Sequence, residues 1–316
     1  MPRLRTLFPL GAFAAATWVA GCGDDPSPGD AAPRFNTPVQ IGAPVSSPGW
    51  EDSGFISPDG DTLYFTYLRI DPIVFATQGQ IRLSGPLRPG WPTQPPYDTL
   101  GAEIYRSVRV GGAWTEPQNL GTPINLPEEL EGDEWVSADG NRILFTNGTA
   151  SGPRGADGIY SATRVNGIWQ TPVLASTLGF PFVSGDENPH LTLDEATLVF
   201  ESSRAGGFGA QDIWMSRRVG GQWTAPVNLG PTINTSGTEG SPFSLDGSEL
   251  YFDDKGGGKG VSWSRRETNG QWRQSEVVLA GIFGDPSLTQ AGDLFVIGAR
   301  TVPGGYDADV YVARRR

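Results

Sequence analysis

The sequence predicts an all-β fold, a five-bladed β-propeller with four antiparallel strands per blade, over residues 35–316. Three observations lead to this prediction: a hairpin motif that occurs five times, a second hairpin that follows it, and a composition rich in turn residues. The 316 residues include 44 Gly and 27 Pro, and only 37% are hydrophobic. This balance favours many short strands and tight turns over long helices.

The first hairpin motif consists of two apolar runs joined by a tight turn. It occurs five times, as GFISPDGDTLYF, WVSADGNRILF, HLTLDEATLVF, PFSLDGSELYF and PSLTQAGDLFV. The turn is centred on a pair such as Asp59-Gly60 or Asp139-Gly140, and Asp-Gly supplies the positive φ that a two-residue hairpin turn needs. Each motif is therefore predicted to form the first two strands of a repeat.

The second hairpin follows four of the five motifs, as EIYRSVRVGGAWTEP, GIYSATRVNGIWQTP, DIWMSRRVGGQWTAP and VSWSRRETNGQWRQS. Gly-Gly or Asn-Gly forms its turn, and a tryptophan opens its last strand. The tryptophans are Trp114, Trp169, Trp223 and Trp272. Because they occupy a fixed place in the repeat, we expect them to pack between blades rather than to bind sugars.

The fifth repeat ends in DVYVARRR, one strand short of the other four. Residues 226–234, PVNLGPTIN, show what the missing strand would look like, and residues 38–46, PVQIGAPVS, match it. We therefore expect the N-terminal strand to complete the last blade. Closing the ring in this way removes the exposed edge strands of an open array.

The repeats resemble those of a known family. SPDGDTLYF, SSRAGGFGAQDIW and WTAPVNLGPTIN are similar to the TolB-like, WD-type propeller repeats of bacterial envelope proteins. The resemblance covers nearly all of residues 36–316. It implies the propeller fold, and a role in binding and scaffolding more often than in catalysis, and it carries over no catalytic residue.

The N-terminal residues have the pattern of a secretory signal. Arg3 and Arg5 precede an apolar stretch at residues 7–20, which is short for a membrane span and suits a signal peptide. Val19-Ala20-Gly21-Cys22 then resembles the lipobox of bacterial lipoproteins. The resemblance implies removal of residues 1–21 and acylation of Cys22, the single cysteine of the chain.

Residues 22–34 are predicted to be a lipidated cysteine followed by a flexible polar tether. The protein is thus expected in the bacterial cell envelope, anchored to the membrane through Cys22, on the periplasmic side or at the cell surface. Gly23, rather than Asp, follows the cysteine, which favours the outer membrane under the best-known sorting rule.

The charge and the ligand-forming residues exclude several function classes. The formal net charge of −12 opposes binding to nucleic acid and to anionic lipid. One cysteine and one histidine leave no Cys-based metal cluster and no His-rich zinc site. That histidine, His190, lies in a first strand without a Ser or Cys partner motif, and is predicted to line the channel or pack. Phosphate-loop, dinucleotide and nucleophile-elbow motifs do not occur.

Carboxylates stand at the start of the first strand of every repeat. They are Glu51 and Asp52, Asp133 and Glu134, Asp186 and Glu187, Glu239, and Asp285. Because first strands line the channel of a propeller, at least one carboxylate per repeat is expected around one mouth. Such neighbours raise one another's pKa or bind a cation. The ligand-binding candidates are Asp52, Glu134, Glu187, Glu239 and Asp285.

Two interpretations of these carboxylates stay open. In the first, they bind Ca²⁺, a cationic ligand or a sugar, and Ca²⁺ is the one cofactor considered. In the second, which their recurrence with the repeat favours, each accepts backbone N–H groups in its own inter-blade loop. Residues just before the third strands, Asp157, Asp212 and Asp309, with Glu103 in the first repeat, are similarly expected to bond their own turns.

The first repeat carries a long insertion at residues 68–100, where the second repeat has only NGTASGPRGA. It contains six prolines together with Trp91, Tyr97, Arg82 and Arg88. We expect it over the same face as the carboxylates, either as a lid or partner-binding loop that uses Trp91 and Tyr97, or as a disordered segment.

Two functions from different classes fit these features. The first is a lipid-anchored, non-catalytic binding or scaffold module for an envelope protein or a glycan. The alternative is a glycosidase-like propeller enzyme, in which a pair drawn from Glu187, Glu239, Asp52 and Asp285 would cleave a glycan. A channel plugged by apolar side chains would argue against the enzyme.

Overall fold

The computed structural model describes residues 34–93, 95, 97–254 and 259–316, and for Tyr97 the backbone only. The predicted signal peptide, Cys22 and nearly all of the tether lie outside these residues. The chain is 47% strand and 5% helix, so the all-β prediction is confirmed. Within these residues the helices are α1 (Pro72–Gln78), α2 (Tyr97–Leu100) and a 3₁₀ helix at Ala175–Leu178. None of the described helices has both the length and the apolar character to cross a bilayer.

Each repeat contributes consecutive antiparallel strands to a sheet, and repeats 1 and 5 are joined in one nine-stranded sheet. Repeat 1 and the segment before it contain β1 (Val39–Gln40), β2 (Trp50–Ile56), β3 (Thr62–Leu68), β4 (Ala102–Val110), β5 (Ala113–Trp114) and β6 (Gln118–Asn119). Repeat 2 contains β7 (Glu131–Val136), β8 (Arg142–Asn147), β9 (Gly158–Val165), β10 (Ile168–Trp169) and β11 (Val173–Leu174). Repeat 3 contains β12 (Asp186–Leu191), β13 (Thr197–Ser202), β14 (Asp212–Val219), β15 (Gln222–Trp223) and β16 (Val227–Asn228).

The last two repeats are simpler. Repeat 4 contains β17 (Glu239–Phe243), β18 (Glu249–Asp254), β19 (Gly260–Arg265) and β20 (Glu276–Leu279). Repeat 5 contains β21 (Phe283–Leu288), β22 (Leu294–Val302) and β23 (Gly305–Ala313). The N-terminal strand β1 lies antiparallel to β23, with Val39 opposite Val312, so the two ends of the described chain share one sheet.

The first strands of the five repeats surround a common centre. Strand β2 contacts β7, β7 contacts β12, β12 contacts β17, β17 contacts β21, and β21 contacts β2 again. One buried core draws on all five of these strands, through Phe55, Trp135, Leu191, Phe243 and Leu288. The side chains on one face of the first strands therefore meet near the axis, where a candidate site has to be sought.

The loop of the first hairpin is longer than the predicted two-residue turn. In repeat 1, Gly60 N–H donates to the Ser57 carbonyl at 2.8 Å and Ser57 N–H donates to the Thr62 carbonyl at 2.8 Å. Asp59 accepts hydrogen bonds from the Ser57 hydroxyl and the Asp61 N–H. The Asp59 carboxylate thus stabilises the longer loop. Within residues 57–62, Gly60 is the residue with a positive φ.

The second hairpin has the predicted turn in repeats 1, 2 and 3, whereas in repeat 4 Asn269 has no positive φ and the loop from Glu267 to Gln271 is longer. Gly111 and Gly112 both have positive φ, as a two-residue type I′ turn requires, and so do Gly220 and Gly221 in repeat 3. Each tryptophan that follows is covered by an arginine of its own hairpin. The pairs are Arg109–Trp114, Arg164–Trp169, Arg218–Trp223 and Arg266–Trp272. The tryptophans thus pack within the framework.

Candidate functional site

All five first strands carry a β-bulge at the same position. The bulged residues, each with φ between 46° and 54°, are Ser53, Asp133, Asn188, Ser241 and Asp285. A bulge adds one residue to a strand and re-aims its side chains. Positive φ in a residue other than glycine costs about 1–3 kcal/mol and is retained where the surroundings enforce it, often at functional sites.

Carboxylates of the neighbouring repeat hold two of these bulges. Glu201 of repeat 3 accepts the Ser241 N–H at 3.0 Å, and Asp253 of repeat 4 accepts the Asp285 N–H at 2.9 Å. These bonds run from one repeat to the next, so the bulged conformation depends on how the repeats are assembled. The bulges are therefore fixed parts of the framework around the axis.

The five bulged residues line one small pocket on the axis, here called the central pocket. Its volume is about 40 Å³, and its acidic residues are Asp133, Glu134 and Asp285, from two repeats. The Ser53 hydroxyl donates to Asp133 at 2.8 Å, and the Ser241 hydroxyl donates to Asp285 at 2.6 Å. Each serine orients the aspartate of the next repeat around the ring.

Glu134 has an unused acceptor atom. Its side chain is buried, Oε2 accepts a 3.4 Å hydrogen bond from the Thr66 hydroxyl, and Oε1 has no hydrogen-bond partner. Burial raises the pKa of Glu134 well above its ordinary value, and the charges of Asp133 and Asp285 raise this pKa further. A positive charge in the central pocket would therefore stabilise ionised Glu134.

Apolar side chains plug the channel beneath the central pocket. Phe55, Trp135, His190 and Phe243 surround a space of only about 20 Å³. The ring centroids of His190 and Phe243 lie 4.2 Å apart, and His190 Nε2 forms a 2.9 Å hydrogen bond with the Ser244 carbonyl oxygen. Burial lowers the pKa of His190 to about 3, so this ring is neutral at physiological pH and packs. The central pocket is a shallow, closed-ended depression.

The carboxylates that open the first strands bond their own preceding loops. Glu51, Glu131, Asp186 and Glu239 accept backbone N–H groups. The donors, in the same order, are Ser47, Leu126, Val183 and Thr235, at 3.2, 3.1, 2.8 and 2.9 Å. All four carboxylates are buried. This is the arrangement that the second interpretation of the sequence described.

The predicted carboxylate ring is only partly assembled. Of the five ligand-binding candidates, Glu134 and Asp285 line the central pocket, whereas Asp52, Glu187 and Glu239 do not. Asp52 and Glu187 lie just before the bulge, opposite Thr66 and Glu201 of their second strands. The hydroxyl and amide groups of Ser53, Asn188 and Ser241 stand where further carboxylates were expected, and these three residues were not among the predicted site residues.

The insertion packs beside the centre instead of covering it. Trp91 is 5% exposed, its indole N–H donates to the Asp98 carbonyl at 2.9 Å, and its ring contacts Tyr67 edge to face. The buried Arg88 pairs with Glu51 at 2.7 Å. None of the described residues of the insertion lines the central pocket. The described part of the insertion therefore forms no lid over this pocket: Trp91 is a packing residue, and the Tyr97 side chain lies outside the described residues. Partner binding by the insertion stays a prediction.

Described residues form no ready-made metal centre. Across residues 34–93, 95, 97–254 and 259–316, no three His, Cys, Asp or Glu side chains are placed to hold one metal ion together. In the central pocket the acidic groups are spread around a ring that also contains Ser53, Asn188 and Ser241. The arrangement suits a group that donates several hydrogen bonds better than a metal held directly by carboxylates.

The chain matches no family model and no curated protein. Among solved structures it is similar to TolB from Acinetobacter baumannii, with 15% identity and a TM-score of 0.44 over 92% of this chain and 65% of that one. It is also similar to GH43B of the Bacteroides ovatus xyloglucan PUL, with 15% identity and a TM-score of 0.50 over 85% of this chain and 53% of that one. A GH43_12 protein from a capybara gut metagenome gives 12% identity and a TM-score of 0.49 over 92% of this chain and 55% of that one.

These similarities concern the fold. This chain spans about two thirds of the TolB chain and about half of the two GH43 chains. At such low identity, residue roles do not transfer from one protein to another. The function has to be argued from the central pocket itself.

Proposed function

We propose that this chain is a lipid-anchored, non-catalytic binding module of the bacterial envelope, whose five-bladed propeller receives a basic side chain of a protein partner in the central pocket. The observation that carries the proposal is the convergence of Asp133, Glu134 and Asp285 on one pocket of about 40 Å³. The ring of contacts among β2, β7, β12, β17 and β21 supports five blades, and the pairing of β1 with β23 supports closure by the N-terminal strand.

The small size of the central pocket favours a single side chain of a protein partner as its occupant, rather than a free small molecule. Small-molecule sites usually enclose about 300–1,000 Å³, roughly ten times more than this pocket. A pocket of about 40 Å³ takes a few water-sized groups, such as the head of one arginine or lysine side chain. Arginine is among the residues that contribute most to protein interfaces when it fills a desolvated pocket.

The charge of the central pocket selects a cation. Glu134 Oε1 lacks a donor, and Asp133 and Asp285 add negative charge on the ring. The net charge of −12 would further speed association with a basic partner. A guanidinium group offers planar pairs of N–H donors that match carboxylates bidentately. Together these features favour a protein partner that presents arginine.

The enzyme alternative has less support from the geometry. A glycosidase needs two carboxylates facing an open pocket, separated by about 5–9.5 Å. Of Glu187, Glu239, Asp52 and Asp285, only Asp285 lines the central pocket, and aromatic rings plug the channel below it. No observation at the axis specifically favours catalysis.

A peptide pair tests the proposal. We expect the full chain, in detergent micelles, to bind acetyl-Gly-Arg-Gly-amide at least ten times more tightly than the citrulline peptide, which is neutral and of nearly the same shape. A charge-assisted hydrogen bond contributes about 1.5–3 kcal/mol, and tenfold in affinity corresponds to about 1.4 kcal/mol. Isothermal titration calorimetry measures both dissociation constants.

Three variants locate the binding site. Asp133→Asn and Asp285→Asn should each weaken arginine-peptide binding about tenfold, whereas Glu116→Gln, which removes an exposed carboxylate, should leave it unchanged. Equal binding of the two peptides would contradict the proposal. So would a Ca²⁺-induced rise in the melting temperature that Asp285→Asn abolishes, because the occupant would then be a metal ion.

The lipid anchor has its own test. Cys22→Ser removes the only sulfur that a lipid could modify by thioether formation. We expect the wild-type chain to incorporate radiolabelled palmitate and to sediment with membranes when it is expressed in a bacterium, and Cys22→Ser to do neither. Label incorporation by Cys22→Ser equal to wild type would remove the anchor from the proposal while leaving the central pocket untouched.

A further inference from the structure

A second and larger cavity lies at the seam between the two ends of the chain. It encloses about 630 Å³ between the β22–β23 hairpin, residues 40–48 and residues 82–84 of the insertion. That volume is typical of a small-molecule site. The insertion that supplies residues 82–84 occurs in the first repeat alone. We call it the seam cavity; it shares no lining residue with the central pocket.

Two buried carboxylates line the seam cavity. Asp307 and Asp309 are two residues apart on β23, so they point to the same face of the sheet. Their residues are 4% and 0% exposed. Arg300, directly opposite Asp307 on β22, places Nη2 2.7 Å from Asp307 Oδ2 and 3.4 Å from Asp309 Oδ2. The Arg300 side chain is half-exposed and lies on the solvent side of the pair.

The hydrogen bonding of these carboxylates is incomplete. Asp307 Oδ1, Asp309 Oδ1 and Asp309 Oδ2 accept no hydrogen bond of normal geometry, although the Gln40 and Ser46 side chains lie close enough to Asp309 to lower its pKa. Buried polar atoms in native proteins nearly always have a partner, so unsatisfied ones indicate a missing water, ion or ligand. Burial raises the pKa of both carboxyls, and the charge of Asp309 raises that of Asp307 further. Arg300 and hydrogen bonding with Gln40 and Ser46 partly offset the effect of burial on the pKa of Asp309. The pair is thus short of positive charge.

The other arginine of the seam cavity does not make up this deficit. Arg82 Nη1 lies 3.5 Å from Asp71 Oδ2, and the Arg82 guanidinium donates hydrogen bonds to the backbone carbonyls of Pro303 and Tyr306. Arg82 acts on Asp307 as well as on Asp71, so three carboxylates (Asp71, Asp307 and Asp309) share two guanidinium groups, those of Arg82 and Arg300. With all of these groups ionised, the set carries one uncompensated negative charge.

We propose that the seam cavity binds a small organic amine, whose ammonium group donates to Asp307 and Asp309. An ammonium group brings three N–H donors and one positive charge, which matches the incompletely bonded oxygens of this pair, Asp307 Oδ1 among them, and one excess negative charge. Leu83 and Val302 line the cavity and can contact an alkyl chain. A neutral polyol would leave the charge uncompensated, and an anion would be repelled. A metal ion would find only two carboxylates here.

The probe is 1,5-diaminopentane, compared with 1,5-pentanediol, which has the same chain length and no charge. Calorimetry on the full chain in detergent micelles at pH 8 should show binding of the diamine and at least tenfold weaker binding of the diol. Asp309→Asn should weaken diamine binding at least tenfold. Arg300→Gln should strengthen it severalfold, because the competing guanidinium is gone and the half-exposed position tolerates the change.

The two proposed sites are separated by the same experiment. Asp285→Asn, which alters the central pocket, should leave diamine binding unchanged, and Asp309→Asn should leave binding of the arginine peptide unchanged. Absence of diamine binding to wild type would overturn the proposal. So would equal binding of diamine and diol, weaker binding by Arg300→Gln, or loss of diamine binding in Asp285→Asn.

Discussion

Arg154→Met is expected to lower the free energy of unfolding by about 3–5 kcal/mol, because it leaves buried charges without their counter-ion. The Arg154 guanidinium is 6% exposed and pairs with both Glu129 and Glu131, which are fully buried. It also donates to the backbone carbonyl of Pro123 at 2.8 Å. Methionine keeps much of the aliphatic stem and removes all of these donors.

Urea unfolding followed by circular dichroism measures this effect. Arg217→Met, at an exposed position in β14, is the matched control and should stay within about 0.5 kcal/mol of wild type. The double variant Arg154→Met/Glu131→Gln should recover part of the loss, since one stranded carboxylate becomes neutral. A loss below about 1 kcal/mol in Arg154→Met would show that the ion pairs only offset their own desolvation.

Raising the pH from 6 to 9 is expected to destabilise the protein, chiefly through a second buried carboxyl of the same region. Glu103 is 2% exposed, Oε2 accepts from the Asn119 amide at 3.2 Å, and Oε1 has no partner. Burial raises the pKa of Glu103 to about 8 from an ordinary value of 4.5. Burial and the charge of Glu103 likewise raise the pKa of Glu131.

The direction follows from proton linkage. Between pH 4.5 and 8 the folded chain keeps the Glu103 proton and the unfolded chain has lost it, so stability falls as the pH rises through this window. Each unit of pKa difference corresponds to about 1.4 kcal/mol, which allows an effect of several kcal/mol. The raised pKa values of Glu51 and Glu134 act in the same direction.

Glu103→Gln is the variant that assigns the effect. We expect its melting temperature to fall less between pH 6 and pH 9 than that of wild type, and to exceed wild type at pH 9. Glu116→Gln, with its exposed side chain, should follow the wild-type profile. A wild-type melting temperature that is flat or rises from pH 6 to 9 would contradict the raised pKa values.

The fold could be predicted from the sequence because its signals repeat. Each first hairpin places apolar runs around an Asp-Gly type of turn, and each second hairpin repeats a Gly-Gly or Asn-Gly turn followed by tryptophan. The same recurrence favoured a loop-bonding role for Glu51, Asp186 and Glu239, whereas in repeat 2 this role belongs to Glu131, which the sequence pattern did not single out. A carboxylate that returns at this place in four repeats bonds the loop that precedes it.

The central pocket was harder to predict, because a bulge changes which residues face the axis. Strand side chains alternate between faces, and one extra residue shifts every later side chain to the other face. The bulged positions hold Ser, Asp, Asn, Ser and Asp, so no single residue type marks them. This is why Asp52 and Glu187 were placed at the axis, although Ser53 and Asn188 line it.

Contacts between distant segments left no local pattern in the sequence. Arg88 meets Glu51, and Arg154 meets Glu129 and Glu131, only after the insertion and the loops have packed. Asp309 was expected to bond its own turn, and instead it lies inside β23 and lines the seam cavity. The seam cavity depends on three segments from opposite ends of the chain, so the sequence alone could not indicate it.

The pairing of β1 with β23 also sets the order in which the molecule can form. Val39 and Val312 are partners although nearly the whole chain separates them, so this pairing has a very high contact order. A chain emerging from its N-terminus can build the hairpins of repeats 1 to 4 from neighbouring residues. Repeat 5 can form only after the last residues have been synthesised, and until then β1 has no strand to pair with, because its partner is β23. Folding is therefore expected to finish at the seam, as a late and slow step.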